Sequence, residues 1–203
     1  MIKTIIFDIG GVVTHTDFKK IYSDFAERIG LSSEFVTNYH ADHFDDLLLG
    51  NITAEKFWQD MRDAGAGPNL DLEAIWLAEG LTHRVVNNGL FDIIKKLREK
   101  YSVGALTNLT ASRRIIDEHV DIYSHFDYVL LSCEEHMKKP DPRFYALALA
   151  KANATPKEAI FIDDQEKCTI AAEAIGIKSI LYTYPDNKKL LEDLKRLGVV
   201  VGG

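Results

Sequence analysis

Three aspartates and one lysine are the residues whose types and positions could carry out chemistry. Asp8, and the pair Asp163 and Asp164, each directly follow a short apolar run, and Lys139 precedes an Asp-Pro pair typical of a helix start. Carboxylate oxygens are hard ligands of the kind that Mg²⁺ prefers. A carboxylate can also attack phosphorus and hold the phosphoryl group covalently. A lysine beside them would offset negative charge, so the set predicts metal-assisted phosphoryl transfer.

A polar pair follows a further apolar run. Thr107 and Asn108 come directly after residues 103–106. The Thr107 hydroxyl and neighbouring backbone amides could hold phosphoryl oxygens. Ligands of open parallel sheets bind beyond the carboxyl ends of the strands, so these polar groups are expected to meet at one rim.

Short apolar runs rich in β-branched and aromatic residues predict the strands that position these groups. They are residues 4–7, 103–106, 128–132, 159–162 and 179–181, with 199–201 as a candidate sixth strand at an edge. Continuous rather than alternating apolar runs favour a parallel sheet covered on both faces. Helical patterns lie between the runs, which predicts a doubly wound α/β fold.

One interval has helix signals and no convincing strand. The signals are the stripe Ile21, Phe25 and Ile29, N-caps at Ser32 or Ser33 and at Thr53, and the apolar residues Phe57, Trp58, Met61, Leu72, Ile75 and Trp76. The predicted domains are therefore an α/β core of residues 1–14 and 85–203 and a helical insertion of residues 15–84. Most of the insertion's aromatic residues are expected to form its interior.

Composition excludes several function classes. The 203 residues are 46% hydrophobic and 27% charged, which is typical of a globular protein. The net charge of −7, without a basic run longer than a pair, argues against nucleic acid as a partner. Cys133 and Cys168 have neither metal-type spacing nor a disulfide framework. No apolar stretch is long enough for a signal peptide or a membrane span, so a cytoplasmic monomer or homodimer is expected.

Four short motifs resemble those of a known family. They are FDIGGVV at residues 7–13, LTN at 106–108, KPDP at 139–142 and FIDD at 161–164. In this order they are similar to the four motifs of the haloacid dehalogenase-like hydrolases, a superfamily dominated by phosphatases. The resemblance implies a Rossmann-like core with strand order 3-2-1-4-5, and a helical cap of the C1 type after the first strand. It also implies a small phosphorylated metabolite as the substrate.

The resemblance implies a role for each matching residue. Asp8 would be the nucleophile, and water would then hydrolyse the aspartyl-phosphate. The Mg²⁺ ligands would be Asp8, the backbone carbonyl of Gly10, Asp164 directly, and Asp163 directly or through water. Phosphate would be bound by Thr107, Asn108 and Lys139, and Lys139 would also orient Asp8.

Two residues depart from the family pattern. Gly10 stands where phosphatases of the family usually carry a second Asp, the general acid and base. General acid catalysis is worth about 10²–10⁴-fold, so alkyl esters are expected to suffer most, and acyl, aryl or anomeric phosphates least. His15 is the candidate replacement acid, although a hinge or surface histidine is the favoured interpretation. Cys168 occupies a position where Asn is common, which affects the surroundings of the metal.

Three alternative functions remain open. A metal-independent 2-haloacid dehalogenase would also use Asp8 and lack the second Asp, but the Asp163 and Asp164 pair argues against it. A phosphomutase is disfavoured, because proton transfer to sugar hydroxyls would depend most on the Asp that Gly10 replaces. The third alternative is a catalytically silent binding or regulatory protein. Gly10 is the feature that favours it, and the otherwise intact set of motifs argues against it.

A group of histidines and aspartates resembles a metal cluster in the sequence, although an exposed acidic helix face is the favoured interpretation. These residues are His40, Asp42, His43, Asp45 and Asp46.

Overall fold

The computed structural model describes residues 1–67 and 69–202. In chain order, the strands are β1 (Thr4–Phe7), β2 (Thr14–Thr16), β3 (Arg84–Val86), β4 (Ser102–Thr107), β5 (Tyr128–Leu131), β6 (Ala159–Asp163) and β7 (Lys178–Leu181). The α-helices are α1 (Phe18–Ile29), α2 (Ser33–Leu48), α3 (Ala54–Asp63), α4 (Leu72–Thr82), α5 (Asn88–Arg98), α6 (Ala111–His119), α7 (Ser132–Glu135), α8 (Pro142–Lys151), α9 (Glu166–Ala174) and α10 (Asn187–Arg196). Within these described ranges, no helix has the length and apolar character that crossing a membrane requires.

Five parallel strands form the main sheet, in the order β5-β4-β1-β6-β7. Numbered along the chain, this order is 3-2-1-4-5, so the predicted α/β fold and strand order are confirmed. Phe7 of β1 pairs with Ala105 of β4 and Ile162 of β6. This register places the carboxyl ends of the three central strands side by side.

Two layers of helices cover the sheet. Ile5 and Phe7 pack into a cluster with α5 and α10, whereas Ile6 packs into a second cluster with α8 and α9. Each residue of β1 is buried because successive side chains point to opposite faces and both faces are covered. This burial explains the continuous apolar runs in the sequence.

The prediction of a sixth strand at residues 199–201 was wrong. Val199 is buried, but its backbone N–H donates to the Leu194 carbonyl across 3.0 Å, and Gly198 adopts a left-handed φ of 84°. This geometry closes the C-terminus of α10. The apolar residues at 199–201 therefore pack behind a helix end and add no strand to the sheet.

The four-helix segment (α1–α4) has a hydrophobic core of its own. Its helices begin at side-chain caps, as predicted for Ser32 and Thr53, whose hydroxyls accept hydrogen bonds from the backbone. The predicted interior residues Phe57, Trp58, Met61 and Trp76 are all buried in this cluster.

A two-stranded antiparallel ribbon joins the four-helix segment to the rest of the chain. β2 and β3 pair through Thr14 with Val86, His15 with Val85, and Thr16 with Arg84. The prediction that residues 15–84 hold no strand was therefore wrong at both ends of the interval. Strands of three residues are too short to show a period of two in the sequence.

Candidate active site

Asp8 is the first residue after β1, at the rim where the central strands end. Its backbone N–H donates to the Ile162 carbonyl across 2.8 Å, which continues the ladder between β1 and β6. Its side-chain Oδ1 accepts a hydrogen bond of 2.7 Å from the Ile9 N–H. The residue is 4% exposed. The backbone thus fixes this carboxylate in a nearly buried position.

Lys139 bridges two of the predicted carboxylates. Its Nζ lies 2.9 Å from Asp8 Oδ1 and 2.6 Å from Asp163 Oδ2, and the residue is buried. Burial acts to lower the pKa of Lys139, but the charges of Asp8 and Asp163 and their hydrogen bonds outweigh it, so the pKa is raised. The ammonium therefore stays charged between the two carboxylates.

The side chain of Asn108 holds the backbone of Lys139. Asn108 Oδ1 accepts from the Lys139 N–H across 2.8 Å, and Asn108 Nδ2 donates to the Lys139 carbonyl across 2.9 Å. Both ends of the amide are thus engaged with one residue 31 positions away. Asn108 was predicted to bind phosphate; its contact with Lys139 was not predicted, because no local sequence pattern corresponds to it. Thr107 is buried at the end of β4, beside this contact.

Replacing Asn108 with Ala is expected to lower the free energy of unfolding by about 1–3 kcal/mol, because two backbone groups of Lys139 lose their partner. Urea unfolding would measure the change. Asn51→Ala is the matched control, since the Asn51 amide is exposed and bonds only to Asp46. Equal losses in the two variants would contradict a positioning role for Asn108.

Asp8, Asp163 and Asp164 form a three-carboxylate cluster, with one oxygen from each lying within 4.8 Å of the others. Asp163 is fully buried, and its Oδ1 accepts from the Gln165 N–H across 2.8 Å. Burial and the charge of Asp8 raise the pKa of Asp163, and the charge of Lys139 opposes the rise. Burial and the charge of Asp8 also raise the pKa of Asp164. Three converging carboxylates with a single lysine leave uncompensated negative charge, which fits a hard divalent cation.

Two consecutive glycines after β1 have different surroundings. Gly11 has a φ of 76°, and a Cβ there would lie 2.0 Å from Asp164 Oδ2. A side chain at Gly11 would displace the Asp164 carboxylate. A Cβ at Gly10 meets no atom within 4 Å. A steric clash with Asp164 therefore explains why position 11 is glycine, whereas no such clash explains the glycine at position 10.

His15 lies on the β2–β3 ribbon, close enough for its charge to act on the third carboxylate. Its side chain is exposed, and its ring stacks on Tyr184 with 5.4 Å between ring centroids. A positive charge on His15 opposes the rise in the pKa of Asp164. The candidate acid thus influences Asp164 electrostatically, while its ring packs on Tyr184.

Helix α2 has the exposed acidic face that sequence analysis favoured. Asp42, Asp45 and Asp46 are exposed, whereas His40 is buried and stacks on Trp76. Burial lowers the pKa of His40 to about 4, so its ring is neutral at physiological pH. Within the described part of the chain, these residues do not form a group that could hold a metal ion.

A second group of possible ligands was not predicted. Asp24, Glu79 and His83 also place one atom each within 4.8 Å. They are already paired, because His83 Nε2 lies 2.7 Å from Asp24 Oδ2 and Arg28 Nη1 lies 2.6 Å from Glu79 Oε1. These pairs tie α1 to α4 within the four-helix segment.

Cys168 lies in the apolar cluster below the site. It is 1% exposed, and burial raises the pKa of its thiol to about 11. Both cysteines are free, as the sequence indicated. A neutral, buried thiol packs as a small apolar group.

Several known proteins are similar to this chain in sequence and fold. D-ribitol-5-phosphate phosphatase of Bacteroides thetaiotaomicron is 29% identical over 192 residues, covering 88% of this chain and 91% of that protein. Bifunctional epoxide hydrolase 2 of Rattus norvegicus is 23% identical over 213 residues, but the chain spans only 38% of that protein's length. A HAD family enzyme from Bacteroides thetaiotaomicron, crystallised with magnesium and inorganic phosphate, is 25% identical with a TM-score of 0.81, covering 94% of this chain and 99% of that chain.

Residues 2–176 match the haloacid dehalogenase-like hydrolase family. The match takes in the sheet strands β1, β4, β5 and β6 and all four sequence motifs. This chain therefore belongs to the haloacid dehalogenase-like hydrolases.

Proposed function

We propose that this hydrolase is a magnesium-dependent phosphatase that forms an aspartyl-phosphate on Asp8 and acts on a small phosphorylated metabolite. The observation that carries the proposal is the buried bridge from Lys139 to Asp8 and Asp163, within reach of Asp164. Relatives named as phosphatases, and a similar enzyme crystallised with magnesium and phosphate, support the same reaction class.

The cluster fits Mg²⁺ by the chemistry of its donors. Asp8, Asp164 and the backbone carbonyl of Gly10 would hold the ion directly. Asp163 would act directly or through water, because its two oxygens already accept from Lys139 and the Gln165 N–H. When bound, the ion would offset the charge of the carboxylates and of the phosphoryl oxygens.

The chain's own residues would position and neutralise the reacting groups. Asp8 Oδ1 receives hydrogen bonds from Ile9 N–H and Lys139, which fixes the orientation of the carboxylate. A bond then forms between Asp8 and phosphorus while the ester bond breaks. Water next attacks the aspartyl-phosphate, which releases phosphate and restores Asp8. Thr107 and backbone groups at Asn108 would bind phosphoryl oxygens, and Lys139 would balance their charge.

Gly10 restricts the range of good substrates. With Gly in place of the usual Asp, position 10 has no side chain that could protonate the leaving oxygen. Acyl, aryl and anomeric phosphates need this proton least, so they are the proposed preferred substrates. His15, whose charge acts on Asp164, is the proposed substitute donor.

The four-helix segment would act as a C1-type cap over the site. The proposed core is residues 1–14 and 85–203, and the proposed cap is residues 15–84. The β2–β3 ribbon connects the two, and Ser112 of α6 donates a 2.9 Å hydrogen bond to Glu73 of α4 across them. A closed cap would exclude bulk water from a small substrate.

Phosphate release from a panel of aryl, acyl, sugar and nucleotide phosphates would test the proposal. We expect turnover with Mg²⁺, loss of turnover with EDTA, and the fastest rates with aryl and acyl phosphates. No turnover from folded protein that binds Mg²⁺ would instead indicate a silent binding protein, the alternative that Gly10 favours. Metal-independent chloride release from a 2-haloacid would indicate a dehalogenase.

A further inference from the structure

Two arginine side chains pair with the same aspartate where the β2–β3 ribbon packs against α6. Arg84 of β3 forms an ion pair with Asp117 of α6, and Arg113 Nε lies 3.9 Å from the same oxygen, Asp117 Oδ1. The side chains of Arg84 and Asp117 are 2% and 0% exposed, and that of Arg113 is 16% exposed. This cluster therefore buries one more positive charge than negative charge.

A further carboxylate, that of Asp8, acts on this cluster without pairing directly with it. The charge of Asp8 acts on Arg113, but Asp8 is already paired with Lys139. Burial and the charge of Arg84 together lower the pKa of Arg113 to about 10, while the charges of Asp117 and Asp8 oppose the effect. The two guanidinium groups thus share a single directly paired carboxylate, that of Asp117, within the described part of the chain.

Several buried donors of this cluster have no hydrogen-bond partner among residues 1–67 and 69–202. They are Arg84 Nε, Arg84 Nη1, Arg113 Nε and Thr16 Oγ1. A buried polar group without a hydrogen-bond partner destabilises the folded protein, and a charged group does so more strongly. A ligand that accepts hydrogen bonds would remove this destabilisation.

All three donor residues line the same cavity. Thr16, Arg84 and Arg113 face a space of about 20 Å³, and the other lining residues are apolar or glycine. They are Phe18, Ile21, Trp76, Gly80 and Ile116. A space of this size holds one particle as large as a water molecule. Its lining combines positive charge with hydrogen-bond donors and offers no carboxylate.

We propose that Arg84, Arg113 and Thr16 form a binding site for a small monovalent anion of the size of chloride. The ion would accept hydrogen bonds from both guanidinium groups and the hydroxyl, and it would neutralise the excess charge. Arg113 also donates from Nη2 to Thr14 Oγ1 across 3.4 Å and lies over the Phe18 ring. An ion at this place would therefore strengthen the junction between the ribbon, α1 and α6.

Thermal unfolding in sodium chloride and in sodium gluconate, at equal ionic strength and with EDTA, would test the site. Gluconate is too large for the cavity, so it controls for general salt effects. We expect chloride to raise Tm by roughly 2–4 °C in a saturable manner, because the ion binds only the folded state.

Two variants locate the effect. Arg113→Met removes one donor but leaves the Arg84–Asp117 pair, and we expect it to lose the difference between chloride and gluconate. Arg114→Met is the matched control, because Arg114 is on the same helix but is exposed and pairs with Glu118 and Glu134. The difference between the two salts is compared within each variant, so a general loss of stability does not affect it.

Thr16→Val keeps both arginines and removes only an unpartnered hydroxyl. We expect this variant to fold and to need several-fold more chloride for half the shift, so it carries the test if Arg113→Met does not fold. Equal Tm values in the two salts for the unchanged protein would overturn the proposal. A chloride effect that persists unchanged in the variants would overturn it as well, because the ion would then bind elsewhere. Neither result depends on phosphatase activity.

Discussion

Asp8→Asn is expected to lower magnesium-dependent phosphate release by at least about 10³-fold, because the amide lacks the charge and the nucleophilic oxygen that attack phosphorus. The fold should tolerate the change. The amide oxygen can still accept the hydrogen bonds from Ile9 and Lys139, and Asp163 still pairs with Lys139. Single-turnover assays with an aryl phosphate, together with a thermal unfolding curve, would measure both effects.

Asp71→Asn is the matched control for this experiment. Asp71 caps the N-terminus of α4, and asparagine caps helices equally well. We expect the control to keep its activity. Turnover of Asp8→Asn within tenfold of the unchanged protein would contradict an aspartyl-phosphate on Asp8.

Gly10→Asp is expected to raise kcat for alkyl phosphates by about 10²–10⁴-fold, because it supplies a proton donor for the leaving oxygen. The added Cβ meets no atom of the described residues within 4 Å, so the first side-chain atom fits without displacing neighbours. Aryl phosphates should gain little, since their leaving groups need no proton. The ratio of alkyl to aryl turnover therefore measures the effect directly.

Gly10→Asn separates proton donation from shape. It has nearly the same size as the aspartate variant but has no carboxylic acid, so alkyl turnover should stay low. Equal gains in both variants would show that the gain comes from binding rather than from acid catalysis. No gain in Gly10→Asp would show that another group, with His15 as the candidate, already donates the proton.

The parts of the site that follow directly from strand ends could be predicted from the sequence. Asp8 and Asp163 lie at the ends of continuous apolar runs, and parallel pairing brings such ends to one rim. The apolar runs predicted the parallel sheet, and the order of its strands came from the resemblance of the motifs to a family. These predictions concern periodicity and strand order, which depend on long stretches of the chain.

The parts that depend on single tertiary contacts could not be predicted. Asn108 holds the backbone of Lys139, and Arg84 pairs with Asp117 across 33 positions, yet neither contact has a local pattern. Val199 fits the apolar pattern of a strand, but its backbone N–H donates to the Leu194 carbonyl at the end of α10. In each case the local structure depends on which group a polar atom bonds to, and that group can be identified only from the three-dimensional structure.

The β2–β3 ribbon brings the entry and the exit of the four-helix segment together. Thr14 pairs with Val86, so the chain leaves and returns at neighbouring positions. The closure entropy that a long insertion normally costs grows only slowly with its length, and the ribbon offsets part of it with backbone hydrogen bonds. The two ends of the four-helix segment therefore lie as close together as the two ends of a hairpin loop. Segments of other lengths could replace it there while the ends of β1, β4 and β6 stay in place, so the part of the chain next to this rim could change without rebuilding the rim.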